Sequence, residues 1–208
     1  MRGLPDPRQP AAAEARHRGP GLRSVSDIAA FLASDPEIRG ILAAVAALEL
    51  QDSWVGAGLL RNAVWDGLHG FPRSPAADID VIHFDPARAG PEADAEIEAR
   101  LHADRPGLPW SVRNQARMHL RNGDAPYQNS LDAVARWAET ATAIVARLRD
   151  GRVEVAAPHG VEDLLALRLR PVPDCRGGIK ALHARCRDKG WLRRWPRLVM
   201  VAGERSQA

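Results

Sequence analysis

The chain has 208 residues, 45% of them apolar and 26% charged, with a net charge of +3. That is enough for one sizeable core in a soluble globular protein, and too weakly basic for charge alone to imply a nucleic-acid partner. No apolar run is long enough to span a membrane, and the arginine-bearing N-terminus lacks the apolar stretch of a secretory signal.

Met1 to about Arg23 is rich in Pro, Ala, Gly and Arg without periodicity. It reads as a disordered basic tail, leaving 24–200 as the folded unit. Ser24 opens a capping box, and Val25, Ile28, Phe31 and Leu32 follow at helical spacing. Asp35-Pro36-Glu37 reads as a second N-cap with a first-turn proline and acid, ahead of a stripe from Ile38 to Leu48. Both stripes are read as core-facing.

The stretch Ser53–Asp85 then reads as strand, glycine turn, helix, loop, strand. Trp54 and Val55 begin an extended run, and Gly56-Ala57-Gly58 breaks it. Leu59, Leu60, Ala63, Val64 and Leu68 recur at helical spacing, with a stop at Gly70. Asp78-Ile79-Asp80-Val81-Ile82 follows, a strand that is apolar apart from two carboxylates. A polar helix is expected over Glu92–Asp104, a strand from Trp110 to Asn114, and a short helix around Leu131–Trp137. Ala141–Leu148 and Val153–Ala157 read as strands around Asp150-Gly151, the strongest hairpin signal in the chain. A helix from Gly160 through Leu169 and a basic helical segment from Ile179 to about Leu198 complete it. Helices alternating with strands predict an α/β (α+β) mixed sheet flanked by helices, with helical extensions at both ends. Cys175 and Cys186 fit no zinc or redox spacing and predict reduced thiols in a cytoplasm.

The two aspartates sit two residues apart, so on a strand they share a face. Unpaired like charges there repel, and a divalent cation with hard oxygen ligands removes the conflict. The glycine turn before a helix supplies the complement, because backbone N–H groups at a helix N-terminus bind phosphate. One element can hold an anion and the other the metal that bridges to it. The plain alternative is two acids hydrogen-bonded at a strand start. Arg61, in the first helical turn, is disfavoured by the helix dipole unless an anion neutralises it: a phosphate, or Asp78 or Asp80 directly. A dinucleotide-binding reading fails, because Arg61 stands where the third glycine of G-x-G-x-x-G is needed.

Ala57-Gly58-Leu59-Leu60-Arg61-Asn62 followed by Asp78-Ile79-Asp80 resembles the nucleotidyltransferase superfamily, of the DNA polymerase β-like fold. The turn is similar to the Gly-Gly-x-x-Arg-Asp turn of tRNA nucleotidyltransferases and bacterial poly(A) polymerases. RNAVWDGLHG, DIDVIHFD, NQARMH and WAETATAI resemble a narrower bacterial family of poorly defined reaction, over about Ile38–Leu198. The resemblance implies Mg²⁺ (or Mn²⁺) on Asp78 and Asp80. It implies a nucleoside triphosphate on Gly56, Ala57, Gly58, Arg61 and Asn62, and transfer of its nucleoside monophosphate to an unknown acceptor.

Two departures stand out. Ala57 interrupts the glycine pair. The third acid of active members is missing from Trp110–Asn114, where Asn114, or failing that Arg113, takes its place. Asn114 would then help orient the site and Arg117 would reach the triphosphate; the alternative is a structural network of Asn114, Gln115, Arg117 and His119. Glu154 is the runner-up for a third acid, though it falls one helix too late. Glu139, Thr140 and Thr142 match the family motif and would line a base pocket. His69 and His83 read as structural.

Between Arg176 and Arg197 eight basic residues face one acid, Asp188, with Trp191 and Trp195 among them. Such interleaving can bind RNA; the plainer reading is an amphipathic helix with its tryptophans packed inward and its basic residues in solvent. The alternative to an enzyme is therefore a catalytically inactive nucleotide- or RNA-binding module of the same fold.

Overall fold

Side-chain caps start the chain's first two helices as their residue types require. The computed structural model describes residues 21–173, 175 and 177–201; most of the expected N-terminal tail lies outside them. Ser24 Oγ accepts the Asp27 N–H at 3.1 Å and opens α1 (Val25–Ser34). Asp35 ends α1 and opens α2 (Pro36–Ala46), its Oδ1 accepting from the Glu37 and Ile38 N–H groups at 2.9 and 3.0 Å. The apolar stripes bury Ile28, Leu32, Ile38, Ile41, Leu42 and Val45.

The central motif folds as β1 (Trp54–Gly56), α3 (Gly58–His69) and β2 (Ile79–His83). Gly70 closes α3 in the left-handed region at φ 69°, where glycine meets no Cβ penalty. A 3₁₀ turn at Pro86–Arg88 and α4 (Pro91–Asp104) carry the chain to β3 (Trp110–Asn114), α5 (Gln115–Asn122) and α6 (Ser130–Val134). The hairpin is β4 (Val145–Arg149) and β5 (Arg152–Ala156). Its Asp150 and Gly151 both have positive φ, 49° and 74°, as a tight Asp-Gly hairpin turn requires.

These strands form one mixed sheet in the order β3-β2-β1-β4-β5, with β2 and β3 parallel and the other neighbours antiparallel. The register sets Gly56 opposite Asp80, Asp80 opposite Ser111, Ile82 opposite Arg113 and His83 opposite Asn114. Directly paired residues share a face of the sheet. One face carries Val55, Ile79, Val81, Trp110, Val112 and Ala146 into the main core with the helices α1 to α4. The other carries Trp54, Ile82 and Val145 into a small cluster with Val134 of α6, and also bears Asp80 and Arg113.

The last third is more broken than its periodicity suggests. Ala141–Ile144 is a buried coil, held by Thr142 and Ala143 N–H bonds back to Glu139 O, so β4 starts only at Val145. The helix expected through Leu169 stops at Leu165, the end of α7 (Glu162–Leu165). Arg168–Leu169 is instead β6, parallel to β7 (Val199–Met200). Leu167 turns the chain at φ 56°. The basic segment splits at Gly190 into α8 (Gly178–Asp188) and α9 (Trp191–Arg194).

This C-terminal part is anchored on α3. Trp65 packs edge-on against Trp191 and Trp195, with ring centroids 5.8 and 5.1 Å away. The tryptophans thus pack inward and do not form a nucleotide-stacking surface. Asp66, also on α3 and buried, accepts from the Trp195 Nε1–H at 2.8 Å and from the Ser74 N–H and Oγ–H at 2.8 and 2.5 Å. Arg194 donates to Ser74 Oγ. We expect Asp66→Ala, which strands the buried indole N–H and Ser74 together, to cost about 2–4 kcal/mol in urea unfolding followed by tryptophan fluorescence.

Candidate functional site

The turn between β1 and α3 is shaped by three small residues with different duties. A Cβ on Gly56 would meet Trp137 Cη2 and Val145 Cγ1, each at 2.8 Å, so only glycine lets the tryptophan close over the strand. Ala57 holds φ 55° and ψ −125°, a backbone region natural to glycine and strained for alanine. The Gly-Gly of the resembling families is the unstrained form of this turn. Gly58 opens α3, whose first turn has no side-chain cap. A Cβ there would lie 3.7 Å from Asp78 Oδ1 and 3.8 Å from Arg61 Nη2. Asp78 therefore stands beside the start of α3, and Asp80 opposes Gly56 in the sheet.

Asp80 lines a cleft of about 700 Å³ whose wall includes Ala57, Arg113, Trp137, Glu139 and Arg185. Burial, and then the Asp78 carboxylate, push the Asp80 carboxyl up to about 6 from 3.8, against the opposing fields of Arg113, Arg185 and Lys189. Asp80, partly buried, thus feels the field of Asp78, which is exposed and is not among the cleft-lining residues. Two hard-oxygen donors in mutual repulsion fit a Mg²⁺-type ion that takes its other ligands from phosphate and water. Among the described residues no group of three or more His, Cys, Asp and Glu side chains is placed to hold a metal.

Arg61 does not line the cleft. It is 4% exposed, stacked over Trp65 and Trp191 at 4.8 and 4.2 Å. Nη1 donates to Thr142 Oγ1 at 2.9 Å, and Nε and Nη2 to Asn62 Oδ1 at 3.2 and 2.8 Å. Burial pushes its guanidinium down to about 10, while Glu139 first, then Asp78 and Asp80, favour its charge. The expectation that Arg61 and Asn62 grip a phosphate is thereby corrected: they form a bonded unit behind the turn, and Arg61 acts on the site through its field.

Asn114 is corrected as well. It pairs with His83, so it points to the core face, away from Asp80, and is fully buried. Its Oδ1 caps α5 through the Ala116 N–H at 3.0 Å and accepts from Asp85 N–H at 3.1 Å; its Nδ2 donates to Asp85 O and Arg88 O. Arg117 pairs with Asp94 at 2.5 Å instead of reaching the cleft. His83 joins the same network through Asp94 at 3.1 Å. Arg113, one residue earlier, has the opposite parity and is the residue of β3 that the cleft receives. Glu154 pairs with Arg147 at 2.7 Å and is not among the cleft-lining residues. Thr142 and Glu139 do line the cleft, whereas Thr140 bonds Asp163 at 2.8 Å.

The nucleotidyltransferase family model matches residues 43–200, most of the chain. The chain belongs to the nucleotidyltransferase family. A solution structure described as a CCA-adding enzyme head domain is 31% identical to this nucleotidyltransferase, covers 88% of it and 98% of that chain, and superposes with a TM-score of 0.76. The mixed sheet flanked by helices is thus the head-domain fold. A CCA-adding enzyme solved with ATP (14% identity, TM-score 0.45) covers 85% of this chain and 49% of its own. The Thermotoga maritima CCA-adding enzyme with tRNA_CCA (17%, 0.46) covers 85% and 48%. The chain spans about half the length of those two enzymes. Proteins of curated function give no match.

Trp137 and Arg185 are cleft residues that sequence reasoning did not single out. Arg185 looks like one more charge in a basic run, and only its place opposite Glu139, at 2.7 Å, distinguishes it. The raised Asp80 carboxyl has a signed consequence. A carboxyl pushed above its ordinary value adds stability that is full below about pH 4 and lost as pH rises through about 6. In EDTA, Asp80→Asn is expected to melt higher than the wild type at pH 7.5, by about 2–4 °C, the shift that about 1 kcal/mol produces at this size. The gap should narrow at pH 5, as read by scanning fluorimetry.

Proposed function

We propose that this nucleotidyltransferase moves a nucleoside monophosphate from a nucleoside triphosphate to an acceptor hydroxyl. The acceptor hydroxyl gives up its proton to water as its oxygen bonds to the α-phosphorus, the bond from that phosphorus to the bridging oxygen breaks, and pyrophosphate leaves with the electron pair. Asp78 and Asp80 would hold Mg²⁺ or Mn²⁺, which when bound supplies charge neutralisation for the phosphates. The observation that carries this reading is Asp78 standing beside Gly58 at the uncapped start of α3, with Asp80 opposite Gly56.

The chain's own residues supply binding and orientation. The backbone N–H groups of the first α3 turn offer unpaired donors to an anion. Arg113 and Arg185 flank Asp80 closely enough to shift its titration, and so favour a polyanion there. Arg61 adds a buried positive charge behind the turn without touching the ligand. The free Cys175 and Cys186 support the reading of a reducing compartment such as the cytoplasm; no described helix is long and apolar enough to cross a membrane.

We expect Asp78→Asn and Asp80→Asn each to weaken Mg²⁺-dependent triphosphate binding by at least about tenfold in calorimetry, and EDTA to do the same to the wild type. Unchanged binding in Asp80→Asn would remove the assignment.

A second reading, a non-catalytic nucleotide- or RNA-binding module, is favoured by Arg113 occupying the cleft position of β3 where active members place an acid. Among the described residues no ion pair engages Lys180, Arg187 or Arg193, which leaves the C-terminal face available to a phosphate backbone. On this reading triphosphates bind, no pyrophosphate is released over long incubation, and affinity for single-stranded RNA falls steeply between 50 and 200 mM salt, roughly as counterion release demands. Pyrophosphate release with any acceptor decides for the enzyme.

A further inference from the structure

Beyond Asp80 the cleft continues along the sheet, away from Asp78 and the start of α3. The parallel strands β2 and β3 set Asp80 opposite Ser111 and Ile82 opposite Arg113. Two residues along the strands, about 6–7 Å, therefore lead from Asp80 to Ile82 and Arg113, which both line the cleft. α5 starts where β3 ends, and its Gln115, Met118, Arg121 and Asn122 line the cleft too. They recur at intervals of three and four, so they share one helical face. Arg136, in the coil after α6, lines the cleft with its guanidinium 5.7 Å from the centre of the Tyr127 ring. The Tyr127 hydroxyl accepts from Asn122 Nδ2 at 3.0 Å and donates to Asp124, itself a lining residue. Arg121 and Arg136 thus meet at the α5 end of the cleft, around Tyr127.

Two observations at this end call for a ligand. Gln115 is only 5% exposed, and its Nε2 donates to Arg113 O at 3.0 Å. Its Oε1 has no partner among the described residues and is not sealed from solvent, so it opens on the cleft that Gln115 lines. The positive charge is also poorly compensated. Among the described residues no carboxylate pairs with Arg121, Arg136 reaches Asp132 only at 3.5 Å on the surface, and Arg113 stands 3.8 Å from Glu98.

We propose that the α5 end of the cleft is the acceptor subsite, and that the acceptor is a small phosphorylated alcohol of sugar-phosphate size. The inference rests on the nucleotidyltransferase reading and deepens it. The acceptor hydroxyl donates to Gln115 Oε1, which orients it. An amide is too weak a base to keep the proton, so the proton passes to water as the hydroxyl oxygen bonds to the α-phosphorus and pyrophosphate leaves. The acceptor's phosphate is held between Arg121 and Arg136, since guanidinium forks match phosphate oxygens. Arg121 lies nearly two turns beyond Gln115, about 9 Å along the helix axis. With arginine side chains able to reach back, that is the span of a sugar between its hydroxyl and its phosphate. Met118, between them on the same face, offers the sugar's C–H groups an apolar surface. A polynucleotide suits this end poorly, because Asp124 lies beyond the arginines and repels a further phosphate.

The test is calorimetric titration of the full chain with its triphosphate site filled by Mg²⁺ and the α,β-methylene analogue of the triphosphate that binds most tightly. Glycerol 3-phosphate, ribose 5-phosphate and glucose 6-phosphate are compared with glycerol, ribose and glucose. At least one ester should bind at least about tenfold more tightly than its parent alcohol, the worth of one charge-assisted contact. Arg121→Gln and Arg136→Gln should each lose about tenfold for that ester. Both side chains are exposed, so both variants should melt with the wild type. Ethyl phosphate, which has the charge and no free hydroxyl, should bind more weakly than the best ester on the wild type, and Gln115→Met should close that gap. Esters binding no better than their parents, or equally well in both arginine variants, would overturn the acceptor assignment and leave the nucleotidyltransferase reading standing. So would tighter binding of a short single-stranded RNA than of any ester, lost in Arg121→Gln, which would make the acceptor a nucleic acid. Failure of every triphosphate to bind with Mg²⁺ would overturn the underlying reading, and this inference with it.

Discussion

A guanidinium that no carboxylate touches among the described residues holds this structure together. Arg61 projects from the first turn of α3 and is sealed between Trp65 and Trp191, one tryptophan from its own helix and one from α9. Its charge is offset at a distance by Glu139, Asp78 and Asp80, which come from two other segments of the chain. The dependence runs both ways. Asp80 and Glu139 line one cleft with Asp78 close by, and the buried cation makes that gathering of acids tolerable. Thr142, which accepts from Arg61, belongs to the coil that carries Glu139. The glycine turn, the aspartate strand, the Glu139 coil and the C-terminal helices are therefore organised about one positive charge.

The sheet separates support from chemistry by face. The core face of β2 and β3 ends in a polar knot in which Asp94 of α4 engages His83, Arg117 and the Asn114 backbone N–H. Glu98 of the same helix accepts from the Val112 N–H at 3.1 Å. These two acids occupy backbone donors on the edge strand that would otherwise invite pairing with another chain. The opposite face is covered by α6 only around Trp54, Ile82 and Val145, and beyond that cover it opens into the cleft. The strain at Ala57 sits at the junction of the two, in the turn that aims the start of α3 at Asp78. Backbone held in so unfavourable a region is characteristic of sites where geometry is imposed for function.

Much of this was legible residue by residue. Ser24 and Asp35 cap the helices they announce, Gly70 stops α3, and Asp150-Gly151 makes the hairpin turn, because each rule acts within a few residues. The opposite parity of Asp80 and His83 follows from the pleat of one strand, whereas Asp78, expected on that strand, stands just ahead of its first residue, Ile79. The failures are of another kind. Ala141–Ile144 has a strand-like composition but is coiled by bonds to Glu139. Leu167–Leu169 continues a helical pattern but pairs with Val199 and Met200, some thirty positions on, roughly. In each case a partner distant in sequence outweighs local propensity.

The amino-acid order by itself determined the helix caps, the glycine turn, the paired aspartates and the nucleotidyltransferase resemblance, all written in short-range spacing. Only the tertiary structure decided between Asn114 and Arg113, because the face a β3 residue takes depends on its register with β2. It also withdrew Arg61 from the cleft and brought Arg185 to Glu139. No local pattern encodes which buried charge will meet which, since that is settled by how the elements pack and by the requirement that charges taken out of water be balanced.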